Sequence, residues 1–214
     1  MKVQWLGHSC FCLTTENGTR IIADPFKDSI GYPLANAPAD IVTTSHKHYD
    51  HGYTQAVMPP FTLVDTPEKV ILRGVTIYGV PTWHDEAGGS LRGDNIVFVY
   101  EADGLRLAHM GDLGHLLSAE QLAAIGRLDV LMIPIGGIYT IDAQVAAQTV
   151  KALSPRVVLP MHYQSDRLTL GKKLGGLEDF LSLAGKGIFL DTDTLQIEPG
   201  DGLRGICVPK FLDK

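Results

Sequence analysis

The chain reads as a layered α/β domain with central sheets and outer helices, on two observations. Its first half is a run of short apolar segments broken by Asn-Gly, Arg-Gly and Asp-Gly turns. Its second half alternates apolar segments with capped helical ones. No linker, low-complexity stretch or repeat interrupts the sequence, so residues 1–214 are expected to form a single domain.

Taken in order, strands are expected at 2–6, 10–15 and 20–23, with Glu16-Asn17-Gly18 as a hairpin turn. Residues 41–43 make a short buried run. Runs 70–72 and 75–80 flank Arg73-Gly74, and runs 96–101 and 105–110 flank Ala102-Asp103-Gly104, giving two more hairpins. Ser118, with Gln121 at capping-box spacing, starts a helix that reaches Ile125. Asp142 caps an Ala-rich helix to Leu153, where Ser154-Pro155 stops it. Buried strands are expected at 130–133 and 157–159 and a short helix at 177–183. Segments 188–190 and 195–197 are expected to pair as a last unit before a tail with no evident place.

The formal net charge of -6 argues against nucleic acid or an anionic membrane surface as the main partner. A small anionic substrate stays compatible, because bound divalent ions dominate a local field. Oligomerisation is left open. Cys10, Cys12 and Cys207 are an odd count without framework spacing, which suits a reducing, cytoplasmic setting and buried thiols. No apolar run is long enough to span a bilayer.

The most informative stretch is Ser45-His46-Lys47-His48-Tyr49-Asp50-His51, an H-x-H-x-D-H cluster placed where the apolar run 40–44 ends. Without a cation to organise them, protonated imidazoles packed this closely repel one another, so the cluster reads as half of a metal site. His46 and His48, two apart in extended chain, can aim at one ion, and Asp50 and His51 at a neighbouring one. Single residues at other strand ends supply the other half: His84 after 75–80, Asp112 after 105–108 and His162 after 157–159. Open α/β sheets build their sites at such strand ends. A carboxylate has two oxygens, so Asp112 is suited to bridging.

The order H-x-H-x-D-H followed by His, Asp and His resembles the metallo-β-lactamase superfamily of binuclear hydrolases, over nearly the whole chain. Trp5-Leu6-Gly7-His8-Ser9, Ala23-Asp24-Pro25, Gly111-Asp112-Leu113-Gly114-His115 and Pro134-Ile135-Gly136-Gly137 resemble its small stand-alone branch of metal-dependent hydrolases. That branch is related to ascorbate-6-phosphate lactonases and, more distantly, to phospholipase-D-type phosphodiesterases. The resemblance implies a four-layer αββα sandwich. It also implies His46, His48 and His84 on a first metal, Asp50, His51 and His162 on a second, and Asp112 bridging both. Zinc is the first expectation for the two divalent ions, with manganese, iron or nickel as alternatives.

Around this set, His8 is a candidate to line the site mouth, and Asp24 to accept the free N–H of a liganding imidazole. His115 either contacts substrate or begins the helix, and Tyr163 either donates to a developing oxyanion or packs. Asp85 reads as solvated or as a neighbour of the ligands. The Gly88-Gly89 and Gly93 loop is a candidate cover, and the helix N-terminus after Gly136-Gly137 reads either as a hold for a substrate phosphate or carboxylate or, in preference, as a simple cap by Thr140 or Asp142. The expected chemistry is attack by a metal-bridging hydroxide on a small lactone or ester, with Asp50 or Asp112 orienting the nucleophile and shuttling its proton. A phosphodiesterase of the same fold is the alternative enzyme, and a non-catalytic metal- or ligand-sensing domain the alternative to an enzyme.

Overall fold

A computed structural model describes residues 1–34 and 36–212. The strands in chain order are β1 (Lys2–Gly7), β2 (Cys10–Thr14), β3 (Arg20–Ala23), β4 (Ala37–Pro38), β5 (Ile41–Thr43), β6 (Val57–Met58), β7 (Thr62–Val64), β8 (Val70–Leu72), β9 (Val75–Trp83), β10 (Asp94–Ala102) and β11 (Leu105–His109). Helix α1 (Ala119–Ile125), β12 (Val130–Pro134), α2 (Ala143–Leu153), β13 (Val157–Met161), α3 (Leu177–Ala184), β14 (Gly187–Phe189), β15 (Thr194–Gln196) and β16 (Gly205–Val208) follow.

The strands form a six-stranded sheet ordered β15-β1-β2-β3-β5-β7 and an eight-stranded sheet ordered β14-β16-β13-β12-β11-β10-β9-β8, with β4 and β6 as a separate pair. The two large sheets face each other. Thr43 Oγ1 lies 2.6 Å from the Tyr100 hydroxyl across the interface, and the Phe11 and His109 rings are 6.0 Å apart. Phe11, Leu13, Ile21, Val97, Leu107 and Leu131 are among the fully buried side chains of this core. The two facing sheets make the expected sandwich.

Capping works as the local sequence dictates. The Ser118 side chain accepts from Gln121 N while the Gln121 side chain accepts from Ser118 N, and Asp142 Oδ1 accepts from Val145 N at 2.9 Å. The α-helices pack on the eight-stranded sheet's side, through α1 on β9 and α2 on β12 and α3. The connections within the six-stranded sheet carry only single 3-10 turns, Asp28–Ile30 and Thr54–Ala56. Pro25, Pro33, Pro38, Pro59 and Pro60 occur there, and proline cannot sustain a helix interior. No described helix is long and apolar enough to cross a membrane.

Three expectations need correction. Segments 188–190 and 195–197 do not pair: β14 runs parallel to β16, while β15 is antiparallel to β1 in the other sheet. The tail supplies β16, which inserts between β13 and β14. Strand β9 continues past Pro81 to Trp83, where expectation ended it at Val80. Pro81 pairs with Ile96 of β10, but β8 reaches only to Ile77 on the other side, so the missing N–H leaves no ladder partner unmet. The extension delivers His84 directly from the strand end.

Candidate metal centre

Ligand-type residues from separate strand ends converge on Asp112. Asp112 Oδ2 lies 3.1 Å from His84 Nε2 and 3.8 Å from His46 Nε2. Asp112 Oδ1 lies 3.0 Å from His51 Nε2 and 3.5 Å from His162 Nε2. His46, His48 and His84 offer nitrogens within 4.8 Å of one another, and so do the ligand atoms of His8, Asp50, His51 and His162. The carboxylate thus faces a different histidine group with each oxygen.

At His46, His51 and His84 the outer nitrogen is committed elsewhere, which orients the inner one. Asp24, buried at 0% exposure, accepts from Ser45 N at 2.7 Å, from Ser45 Oγ at 2.5 Å and from His51 Nδ1 at 2.7 Å. Since Ser45 Oγ donates to Asp24, the His46 Nδ1 at 3.0 Å from it must donate to Ser45. His84 Nδ1 donates to the Tyr139 carbonyl at 2.8 Å. Each of these imidazoles therefore turns its Nε2 inward: His46 offers the bare lone pair a metal needs, and at His51 a metal would displace the proton that Asp112 and Asp24 hold there.

The inward atoms satisfy nothing in the protein. His46 Nε2, His51 Nε2, Asp112 Oδ1 and both nitrogens of His8 are buried without a hydrogen-bond partner. His51 Nε2 and Asp112 Oδ1 lie 3.0 Å apart and face the same space. Buried polar atoms left unmatched cost about 1–3 kcal/mol each. A cluster of nitrogen and carboxylate donors with orphaned atoms fits divalent ions, which would relieve that cost.

Backbone strain gathers here as well. His8, Asp24 and His162 have φ of 50, 51 and 51°, in the left-handed region non-glycine residues avoid. Gly111 precedes Asp112 at φ 55°, and a Cβ there would fall 2.3 Å from Asn95 Oδ1 and 2.5 Å from Ser45 Cβ, so the turn admits only glycine.

Titration follows from the same crowding. Burial lowers His46 and His162 to about 3, mutual repulsion adding to it despite Asp112. Burial pushes His51 down, but Asp112 and Asp24 more than offset it and its pKa is raised well above 6.5. In the metal-free protein the unfolded chain takes up protons at His46 and His162 near 6.5, and the folded one only near 3. Stability from these residues is therefore lost as pH falls through that window. The His51 contribution has the opposite sign: it is complete below 6.5 and lost as pH rises through the raised value. The melting temperature of chelator-treated protein is expected to drop steadily from about pH 6.5 to about pH 4; a flat profile over that range would contradict the buried neutral imidazoles.

Other candidates lie differently. Tyr163 packs its ring against Trp5, with centroids 6.0 Å apart and an 18° interplanar angle, and does not line the cavity over the ligands. His115 neither begins the helix nor reaches the cluster. Its Nε2 accepts from Trp83 N at 3.1 Å and it borders a separate groove, three residues before the Ser118 cap. Asp85 is not solvated: its carboxylate accepts from the backbone N–H groups of Ala87, Gly89, Leu91 and Arg92 at 2.7–3.0 Å, cinching the glycine-rich loop. Burial opposes its ionisation, but those N–H groups hold its pKa below the ordinary value.

Sequence reasoning missed several supports. Asn95 accepts from Asp112 N at 2.9 Å and donates to Met110 O and Thr82 Oγ1, so it sets the Asp112 turn. His109 is fully buried, its Nε2 2.7 Å from Ser9 O while its Nδ1 accepts from Gly111 N at 3.1 Å. A histidine three before Asp112 was a visible signal; an asparagine inside a strand was not.

The relatives that this two-sheet sandwich with its strand-end histidines and aspartates matches are metal-dependent hydrolases. The chain belongs to the beta-lactamase superfamily domain family, whose model matches residues 2–162. A UPF0173 metal-dependent hydrolase of Pelotomaculum thermopropionicum is 32% identical, over 77% of this chain and 85% of that protein. One of Archaeoglobus fulgidus is 28% identical over 94% and 97%. The crystal structure of a Thermotoga maritima protein, assigned as a Zn-dependent hydrolase of the metallo-beta-lactamase superfamily, superposes with a TM-score of 0.81. That protein is 37% identical, and the match covers 97% of each chain.

Proposed function

We propose that the protein hydrolyses a small lactone or carboxylic ester with two divalent ions, zinc first among them. The observation that carries this reading is the division of Asp112: one oxygen toward His46 and His84, the other toward His51 and His162. His46, His48 and His84 would hold one ion and Asp50, His51 and His162 the other, with Asp112 shared and His8 beside the second group. Bound there, the ions would lower the pKa of water toward neutrality and polarise the substrate oxygen.

The chain's own residues handle the proton. Burial raises Asp50, but His8 and His51 more than offset it, so its carboxyl stays below the ordinary value and is ionised at neutral pH. Asp50 lines a cavity of about 410 Å³ that opens onto His48, His84, Asp112 and His162. It can take the proton of the attacking water and return it to the leaving oxygen. The cavity admits a small molecule, and the net charge of -6 disfavours nucleic acid as substrate. Three buried free cysteines suit a cytoplasmic setting.

The test is turnover of a small lactone beside an activated phosphodiester, on one chelator-treated preparation with metal added back. Metal-dependent lactone hydrolysis is the expected result. Phosphodiester turnover alone would replace carbonyl by phosphoryl chemistry. Two bound metals with no turnover of any ester would favour the sensing alternative.

A further inference from the structure

The cavity over the ligand cluster is also bordered by Arg92, Tyr139 and Lys172, which the metal site does not use. The Arg92 guanidinium carbon sits 3.3 Å from the Tyr139 ring centroid, and Lys172 Nζ sits 4.9 Å from it. We infer that Arg92 and Lys172, gathered on Tyr139, clamp an anionic group of the substrate, a carboxylate or phosphate, while its scissile bond lies at the ligand cluster. As a means of substrate recognition the clamp rests on the proposed hydrolytic reading; as an anion site it does not.

Three observations carry it. First, among the described residues neither cation has an ion-pair partner, although carboxylates pair with Arg73, Arg106 and Arg156 elsewhere. Arg92 Nε is moreover buried without a hydrogen-bond partner. An unmatched, partly buried guanidinium offers its planar fork to an oxyanion.

Second, Arg92 is held rather than left to sweep through solvent. The Asp85 carboxylate accepts from Arg92 N at 2.7 Å and from three other N–H groups of the loop. Asp85 follows the ligand His84, whose Nδ1 donates to the Tyr139 carbonyl at 2.8 Å. The circuit closes from His84 through Asp85, Arg92 and Tyr139 back to His84. Asp85 is thus a positioning residue for the clamp, and the clamp is mechanically tied to a metal ligand.

Third, the charges favour an anion. Arg92 and Lys172 are two cations over one cavity and repel each other. An uncharged substrate leaves that repulsion in place. An anionic one offsets it, and the Tyr139 side chain brings a phenol donor to the same corner.

The test uses the full chain in two forms. Inorganic phosphate, then acetate, is titrated calorimetrically into metal-free wild type and into R92M, K172M and the double variant at pH 8, where most imidazoles are neutral. Saturable binding by wild type, weakened at least tenfold in the double variant, is the expected result. The tighter of the two anions identifies the group. Equal binding by wild type and double variant, or none by wild type, overturns the clamp. Lys172 is exposed, so K172M serves if R92M fails to fold. In the metal-loaded protein, a neutral lactone is compared with the same lactone bearing the tighter-binding group. The charged-to-neutral ratio of kcat/KM should fall at least tenfold in the double variant, chiefly through KM; an unchanged ratio refutes the recognition role. If no ester reacts at all, the hydrolytic reading fails and the phosphate titration still decides the anion site.

Discussion

Asp112→Ala is expected to lower metal-dependent hydrolysis about a thousandfold, several kcal/mol of transition-state stabilisation converted at 1.36 kcal/mol per decade. Asp112 lies within 4 Å of His46, His51, His84 and His162, so it is the group through which both halves of the cluster communicate. Its carboxyl is held well below the ordinary value: burial opposes ionisation, and His162, His51 and His84 overcome it. The metal-free variant should also lose stability, because the buried His51 charge then keeps only Asp24 as its hydrogen-bonded partner. What should disappear is stabilisation by metal. An ion at a hundred times its Kd contributes about 2.7 kcal/mol, worth roughly 5–10 °C in a chain of this size. Thermal melts with and without added zinc, beside metal analysis of the dialysed protein, make the measurement. Two retained metals and full turnover in the variant would remove Asp112 from the centre.

Asp24→Ala carries the second large effect, and it falls on stability as well as on metal. Asp24 touches no substrate cavity, yet three donors end on its carboxylate: Ser45 N, Ser45 Oγ and His51 Nδ1. Truncation strands them in a fully buried place at about 1–3 kcal/mol each. Alanine at φ 51° adds left-handed strain that asparagine tolerates better. A loss of about 3–6 kcal/mol in the metal-free protein is expected. Asp24→Asn separates the two effects. It keeps the shape and the left-handed backbone, but an amide has one acceptor where the carboxylate has two. Either His51 or Ser45 then loses its partner, and metal affinity should fall about 10–100-fold with most of the fold retained. Chemical denaturation and competitive metal titration of both variants check this. Wild-type affinity in the asparagine variant would mean that Asp24 does not orient His51.

Local chemistry was legible wherever one short segment settles it. The Asn17-Gly18, Arg73-Gly74 and Asp103-Gly104 turns join β2 to β3, β8 to β9 and β10 to β11 as antiparallel neighbours. The Ser118–Gln121 box and the Asp142 cap sit where their spacing put them. Segments 188–190 and 195–197 show the limit. Both have strand composition and a short connection, but their partners, β16 and β1, lie far off in sequence or beyond a tail with no turn signal. Strand pairing depends on what the rest of the sheet leaves open, which no local window contains.

The same division runs through the site. By itself the sequence determined the residue types and their place at strand ends: the His46–His51 cluster, and His84, Asp112 and His162 each closing an apolar run. The cluster ends β5 of the six-stranded sheet and the single residues end β9, β11 and β13 of the eight-stranded one, so they meet because the two sheets face each other. Only the tertiary structure decided which atoms face inward. Tyr139 O, Ser45 Oγ and Asp24 set the tautomers of His84, His46 and His51; Asn95 sets the Asp112 turn; His8 joins Asp50, His51 and His162. Arg92, Lys172 and Tyr139 come together from distant loops. Hydrogen bonds act over about 3 Å and need alignment, so supports that are remote along the chain become readable only once the sheets have folded.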